Sequence, residues 1–182
     1  VDLFLAPDRG FPPFTWMNQS LRCAVVRFFG DVPADFAREV PGFVPGLGLP
    51  HAATAWLARG CAAIVASVTF VSALRARGDA MRRGVAFASA LAAGVLISPI
   101  AWKAHHVALL PACFLLTVAA WSGVRGARAT WFTFFVICAA GGGDLVGDVI
   151  KDWQQSLYVA TFAAFAAWAW TVRVAMRTRI GS

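Results

Sequence analysis

The sequence predicts an all-α, polytopic transmembrane helical bundle of about five spans, with an N-terminal extracytoplasmic loop and an interfacial amphipathic helix. Three observations carry that prediction. Of 182 residues, 59% are hydrophobic and only 14% charged, with a mean hydropathy of +0.67, far from the charge-rich surface of a soluble domain. Five uncharged stretches, 60–74, 84–102, 104–124, 129–143 and 153–172, approach the run of about 20 apolar residues that a spanning helix needs. Finally, the arginines alternate. Arg75, Arg77, Arg82 and Arg83 crowd the first connection, Arg125 and Arg128 the third, and Arg173, Arg177 and Arg179 the C-terminus, whereas the second and fourth connections hold Lys103 and Lys151.

By the positive-inside rule the arginine-rich segments are cytoplasmic. Lys103, His105 and His106 then face outward, as does everything before about residue 52. The organisation expected is an extracytoplasmic loop with its interfacial helix over 1–51, and the bundle over 52–182. A net charge of +7 is compatible with nucleic-acid binding, but a binder gathers its cations on one solvated face. Here they sit at the ends of the apolar runs, so nucleic acid is not an expected partner.

Residues 1–17 contain three prolines and no sustained period, and read as an irregular loop. The segment opens at Val1 with neither the basic start nor the small-residue cleavage site of a signal peptide, so the chain is expected to be part of a longer protein. Residues 18–29, NQSLRCAVVRFF, read as a helix: Leu21, Val25, Phe28 and Phe29 form one apolar stripe, with Ser20 and Arg27 opposite and Arg22 beside it. On the outer face such a helix would lie in the interface with its arginines near phosphates. Four prolines and three glycines over 32–50 leave room only for a short helix at 34–40.

The two 15-residue stretches, 60–74 and 129–143, need Arg59 and Arg128 to snorkel toward the interface. Ala62, Ala66, Ala88, Ala92 and Gly94 stand at small-xxx-small spacings that let spanning helices approach closely. Asp144, Asp148 and Asp152 recur every four residues, yet with Lys151 beside them and glycines before, a solvated outer loop is the expected form. Cys23, Cys61, Cys113 and Cys138 lie singly, which suits packing rather than disulfides or a metal site.

Two polar clusters stand out. In SPIAWKAHH, residues 98–106, Pro99 should end or kink the second span near 97–98 and free backbone groups there. Trp102 suits headgroup depth, and Lys103 can reach a phosphate. His105 and His106 project about 100° apart on a helix, so both cannot easily hold one metal. One imidazole on a phosphate, with the other against Trp102, is the simpler assignment; an ordinary interfacial hairpin is the plain alternative. In the other cluster, Asn18, Gln19, Ser20 and Arg22, the plain account is a cap by Asn18 with the rest solvated.

Together NQSL at 18–21 and SPIAWKAHHVALLP at 98–111 resemble the signature of glycosyltransferase family 87, polytopic GT-C enzymes that include polyprenol-phosphate-mannose-dependent mannosyltransferases. The family pattern is an Asn-Gln-Ser-Leu segment, then Ser-Pro-(Ile/Val)-(Ser/Ala)-Trp-x-x-His-His entering a helix with Leu-Leu-Pro, matched here by Ser98, Pro99, Ile100, Ala101, Trp102, His105, His106, Leu109, Leu110 and Pro111. The resemblance implies that the chain is the C-terminal part of a roughly twice-longer bacterial plasma-membrane enzyme, multi-pass, with its site on the extracytoplasmic face. It implies hexosyl, and specifically mannosyl, transfer from a polyprenyl-phosphate sugar to a lipid-linked or cell-envelope glycan acceptor, with inversion, and with no cofactor or metal.

The catalytic base of such enzymes is an acidic residue in a first outer loop. Asp2 and Asp8 do not match that position, so no catalytic residue is assigned in this chain and the chain alone is expected to be inactive. Donor-phosphate binding falls to His105, His106, Lys103 and Arg22, supported by Asn18, Gln19, Ser20, Ser98 and Trp102. Charge gathers on the phosphate as the glycosidic bond breaks, so a nearby cation stabilises the transition state more than the ground state. A rival of another class is a non-catalytic membrane protein that binds or transports polyprenyl-phosphate lipids or glycans. Glycosyl transfer by the full-length protein separates the two.

Overall fold

The structure is a computed structural model that describes residues 18–32, 46–77, 80–99, 101, 103–124, 126–140 and 143–176. The expected loop over 1–17, the expected helix at 34–40, Trp102, Arg125, Arg177 and Arg179 lie outside the described residues. Among those described, the elements are α1 (Leu21–Phe29), α2 (His51–Arg75), α3 (Ala80–Ile97), a 3-10 helix (Lys103–Leu109), α4 (Leu110–Trp121), α5 (Ala127–Ala140), α6 (Gly143–Ser156) and α7 (Val159–Met176). The all-helical expectation holds for them.

Three helices, α2, α3 and α7, are long and apolar enough to cross a membrane. Their distribution of side chains is the reverse of a soluble helix. On α2 the inward stripe is Thr54, Ala58, Val65, Thr69 and Ser72, while Trp56, Ile64 and Phe70 point outward, each more than 60% exposed. Phe87, Phe114 and Phe132 are likewise exposed on α3, α4 and α5. Small and hydroxyl side chains inside with large apolar ones outside suit a lipid solvent, since in water so much apolar surface would drive association. The other two expected spans are also helices, but α4 has 12 residues and α5 has 14.

The core runs along α3 and α7, which make the most extensive helix pair. Ala88 and Ala92 on α3 and Ala164 on α7 have no exposed surface, so backbone meets backbone at close range through small residues. α2 packs across this pair, and α4 and α5 form an antiparallel hairpin beside it. Hydroxyls on the inward faces bond back to carbonyls one turn earlier, as Thr69 Oγ1 does to Val65 O (2.7 Å). That same oxygen accepts the Trp168 indole Nε1–H from α7 (2.8 Å). A Thr69→Val substitution leaves the buried indole N–H without an acceptor, and we expect it to cost about 1 kcal/mol. Equilibrium unfolding in detergent, followed by far-UV circular dichroism, measures it.

The expectation of a span beginning at residue 153 is corrected. α6 continues to Ser156, the chain turns at Leu157 and Tyr158, where Tyr158 adopts φ 55°, and α7 starts at Val159. An uncharged stretch marks composition, and it carries no information about a turn made by an apolar tyrosine. The solvated outer loop expected around Asp148 and Asp152 is also a helix, α6, broken only at Gly147 with φ 80°. Valine and isoleucine at 149 and 150 and Trp153 share it with the acids, so the segment is amphipathic; Asp148 pairs with Lys151 one turn away.

Candidate functional site

The second span ends where the proline required. Ser98 N donates the last bond of α3, to Gly94 O (3.0 Å), and Pro99 has no N–H to continue the ladder. The freed backbone groups are then claimed by the Asn18-Gln19-Ser20 segment. Asn18 Nδ2 donates to Pro99 O (2.9 Å), Asn18 Oδ1 accepts from Ala101 N (2.9 Å), and Gln19 N donates to Ala101 O (2.8 Å). Two segments some 80 residues apart are thereby joined through three hydrogen bonds. Asn18, Gln19 and Ser20 are all buried.

The plain expectation of a cap by Asn18 and solvated neighbours is therefore corrected. Ser20 is the N-cap of α1, its Oγ accepting from Cys23 N (3.2 Å), and Asn18 Oδ1 also accepts from Ser20 N (3.2 Å). An asparagine carries a donor and an acceptor on one short stem, which is what a broken helix end with one bare carbonyl and one bare amide needs.

Gln19 extends the junction to the last span. Its Nε2 donates to Gln155 O (2.8 Å), and its carbonyl accepts from Thr161 Oγ1 (2.7 Å). Sequence reasoning missed Gln155 and Thr161. Thr161, a hydroxyl inside an apolar run, was the available signal, though a hydroxyl alone does not tell a back-bond from a tertiary one.

The outward placement expected for Arg27 is corrected as well. Arg27 is 1% exposed, in a buried cluster with Cys23, Ala24 and Tyr158, and its guanidinium lies 5.8 Å from the Phe28 ring centroid. Of the expected stripe, Val25 is buried, Leu21 and Phe28 are half-buried and Phe29 is exposed. α1 packs against α2 and α3, so its inward face is chosen by protein neighbours rather than by a lipid surface. Burial lowers the Arg27 pKa, the nearby Tyr158 acting the other way. It also holds the Tyr158 phenol well above its usual value, with Cys23 adding to the rise and Arg27 opposing it.

After Ala101 the chain enters the 3-10 helix with Lys103, His105 and His106; His105 is exposed and His106 half-buried. The Lys103 side chain lies outside the described residues. Arg22, half-buried, sits two positions past the Ser20 cap. Both cation-bearing segments therefore start from one hydrogen-bonded junction. Beside it an apolar groove of about 650 Å³ runs between α2 and α3, lined by Thr69, Phe70, Ala90, Gly94, Ser98 and Pro99 among others. A Cβ on Gly94 would meet no atom within 4 Å, so this expected packing glycine borders open space.

At the opposite end of the bundle Arg75 Nη1 lies 3.6 Å from Met176 Sδ, which holds the ends of α2 and α7 together. The bundle thus has one end built around Pro99 and the other around arginines. Comparison with protein-family models, with curated proteins and with solved structures gives no match for this chain.

Proposed function

We propose that this chain is part of a membrane glycosyltransferase that takes a hexose, mannose first among them, from a polyprenyl-phosphate donor at the outer face of a bacterial plasma membrane. The observation that supports this reading best is the junction itself: the two segments that carry the family resemblance are hydrogen-bonded to each other at the mouth of an apolar groove. A phosphate held by His105, His106, Lys103 and Arg22 at the junction would leave an isoprenoid chain to follow the groove past Gly94. Asn18, Gln19, Ser20 and the Pro99 break serve as scaffold, since their hydrogen bonds run to one another and to Cys23, Gln155 and Thr161. No residue of this chain is assigned as the base.

In this reading the spans number five. Run end to end, the 3-10 helix and α4 reach about 32 Å, close to the about 30 Å hydrocarbon core, and α5 at about 21 Å needs local thinning or snorkelling by Arg128. The arginine-rich end is cytoplasmic and the Pro99 end extracytoplasmic.

The test uses membranes from cells producing the full gene product, given polyprenyl-phospho-mannose with a radiolabelled sugar. Label should pass to a lipid or envelope acceptor. A His105→Ala, His106→Ala double variant should slow transfer about a hundred-fold, as loss of a donor to developing charge does. Gly94→Leu should do so by filling the groove, into which a side chain at this position starts without a clash, since a Cβ there meets no atom within 4 Å. Binding of polyprenyl phosphate without transfer would favour the lipid-binding or transport alternative. Neither binding nor transfer above control membranes would overturn both.

A further inference from the structure

From the α4–α5 hairpin we infer a second lipid site, an anionic glycerophospholipid site in the leaflet at the arginine-rich end, independent of the Pro99 junction. It rests on the orientation proposed above for its cytoplasmic assignment and on nothing in the proposed chemistry.

The hairpin is tight because Gly123 and Gly126 both adopt left-handed backbone, φ 76° and 81°, which brings α5 straight back against the end of α4. Arg128, on the first turn of α5, then reaches across. Its Nε donates to Ala120 O (3.0 Å), one of the last carbonyls of α4, which no helical amide follows to satisfy. That bond anchors the guanidinium at the end of α4. Its two terminal nitrogens have no protein partner among the described residues, so a planar fork of N–H donors is held in place with nothing to grip.

A groove of about 350 Å³ opens beside it, walled by Ala120, Trp121, Arg128, Trp131 and Phe132. Trp131 is immobilised: its Nε1 donates to Thr117 Oγ1 (2.9 Å), and its ring meets those of Trp121 and Phe135 at 5.0 and 4.6 Å between centroids. The outer walls, Trp121 and Phe132, are about two-thirds exposed, so the groove opens on the face turned to lipid. An occupant must carry negative charge for the fork and apolar substance for the rings. A soluble anion satisfies only the first requirement, and a zwitterionic lipid satisfies the second while its own ammonium offsets the charge of its phosphate. An anionic phospholipid satisfies both, its phosphate on Arg128 and its upper acyl carbons on Trp131 and Phe132.

The experiment places the full chain in phosphatidylcholine nanodiscs that contain a rising mole fraction of either brominated phosphatidylglycerol or brominated phosphatidylcholine, and reads quenching of tryptophan fluorescence. Phosphatidylglycerol should quench at about five-fold lower mole fraction, the preference that one arginine confers toward an anionic lipid. Arg128→Gln should abolish the preference; Arg83→Gln, in the other arginine cluster, should keep it, and high salt should weaken it by screening. Equal quenching by the two lipids, or a preference that survives Arg128→Gln, overturns the site. Displacement by inorganic phosphate overturns the lipid as occupant in favour of a plain anion site. Ser122→Cys in whole cells, with the four native cysteines replaced by alanine, gives the leaflet: labelling by an impermeant maleimide only after permeabilisation is expected, and labelling from outside overturns the cytoplasmic assignment while leaving the quenching result to stand by itself.

Discussion

Asn18→Asp should be close to the parent protein in stability at pH 4 and about 3 kcal/mol less stable at pH 7. Asn18 donates to Pro99 O and accepts from Ala101 N and Ser20 N in a buried site. A protonated aspartic acid keeps the same shape, one O–H donor and an acceptor oxygen, so it can replace all three bonds. The carboxylate cannot, because it has no donor for Pro99 O and is buried beside a carbonyl. The folded-state pKa of the introduced acid therefore rises above the unfolded value of about 3.9. Between those two values the folded state binds more protons than the unfolded one, so stability is present below the unfolded pKa and is lost as pH rises. Asn18→Leu, which removes every bond at any pH, should cost about 4 kcal/mol throughout. Unfolding in detergent at the two pH values, each variant against the parent, decides it; an Asn18→Asp penalty that does not grow with pH would show that the Pro99 bond contributes nothing.

Ala92→Leu should be the other large effect. Ala92 is fully buried in the core that α3 and α7 share, among residues as small as Ala88, Ala163 and Ala164. Three added carbon atoms have no void to enter, so the two helices must separate or the side chain must leave its rotamer, at a cost of about 3 kcal/mol. Gly94→Ala, two positions further on, is the contrast. Its Cβ meets nothing, and the better helix former should stabilise α3 by up to about 1 kcal/mol. If Ala92→Leu is as well tolerated as Gly94→Ala, close approach of α3 and α7 is not what holds the bundle together.

These contrasts show where one-dimensional patterning reaches its limit. Ala88, Ala92 and Gly94 stand in one small-residue series, and nothing in their spacing separates the two that are buried from the one that lines a groove. Burial depends on which neighbour arrives, and that is a property of the packed bundle. Arg27 repeats the lesson. Its place opposite an apolar stripe points to solvent or headgroups, but α1 turns its face to α2 and α3, and the arginine goes inside.

What the sequence determined by itself were the features that follow from local chemistry and solvent: a membrane composition, helices throughout the described residues, the end of the second span at Pro99, and cations gathered at helix ends. Each depends only on a residue's own transfer energy or backbone freedom, so it is written into the chain locally. The tertiary structure alone decided what meets what: that the Asn18-Gln19-Ser20 segment satisfies the backbone freed by Pro99, that Gln19 reaches α6 and α7, and that Arg128 presents its fork beside Trp131. Buried polar groups must find partners wherever the fold supplies them, and the choice among distant candidates is made only when the helices pack.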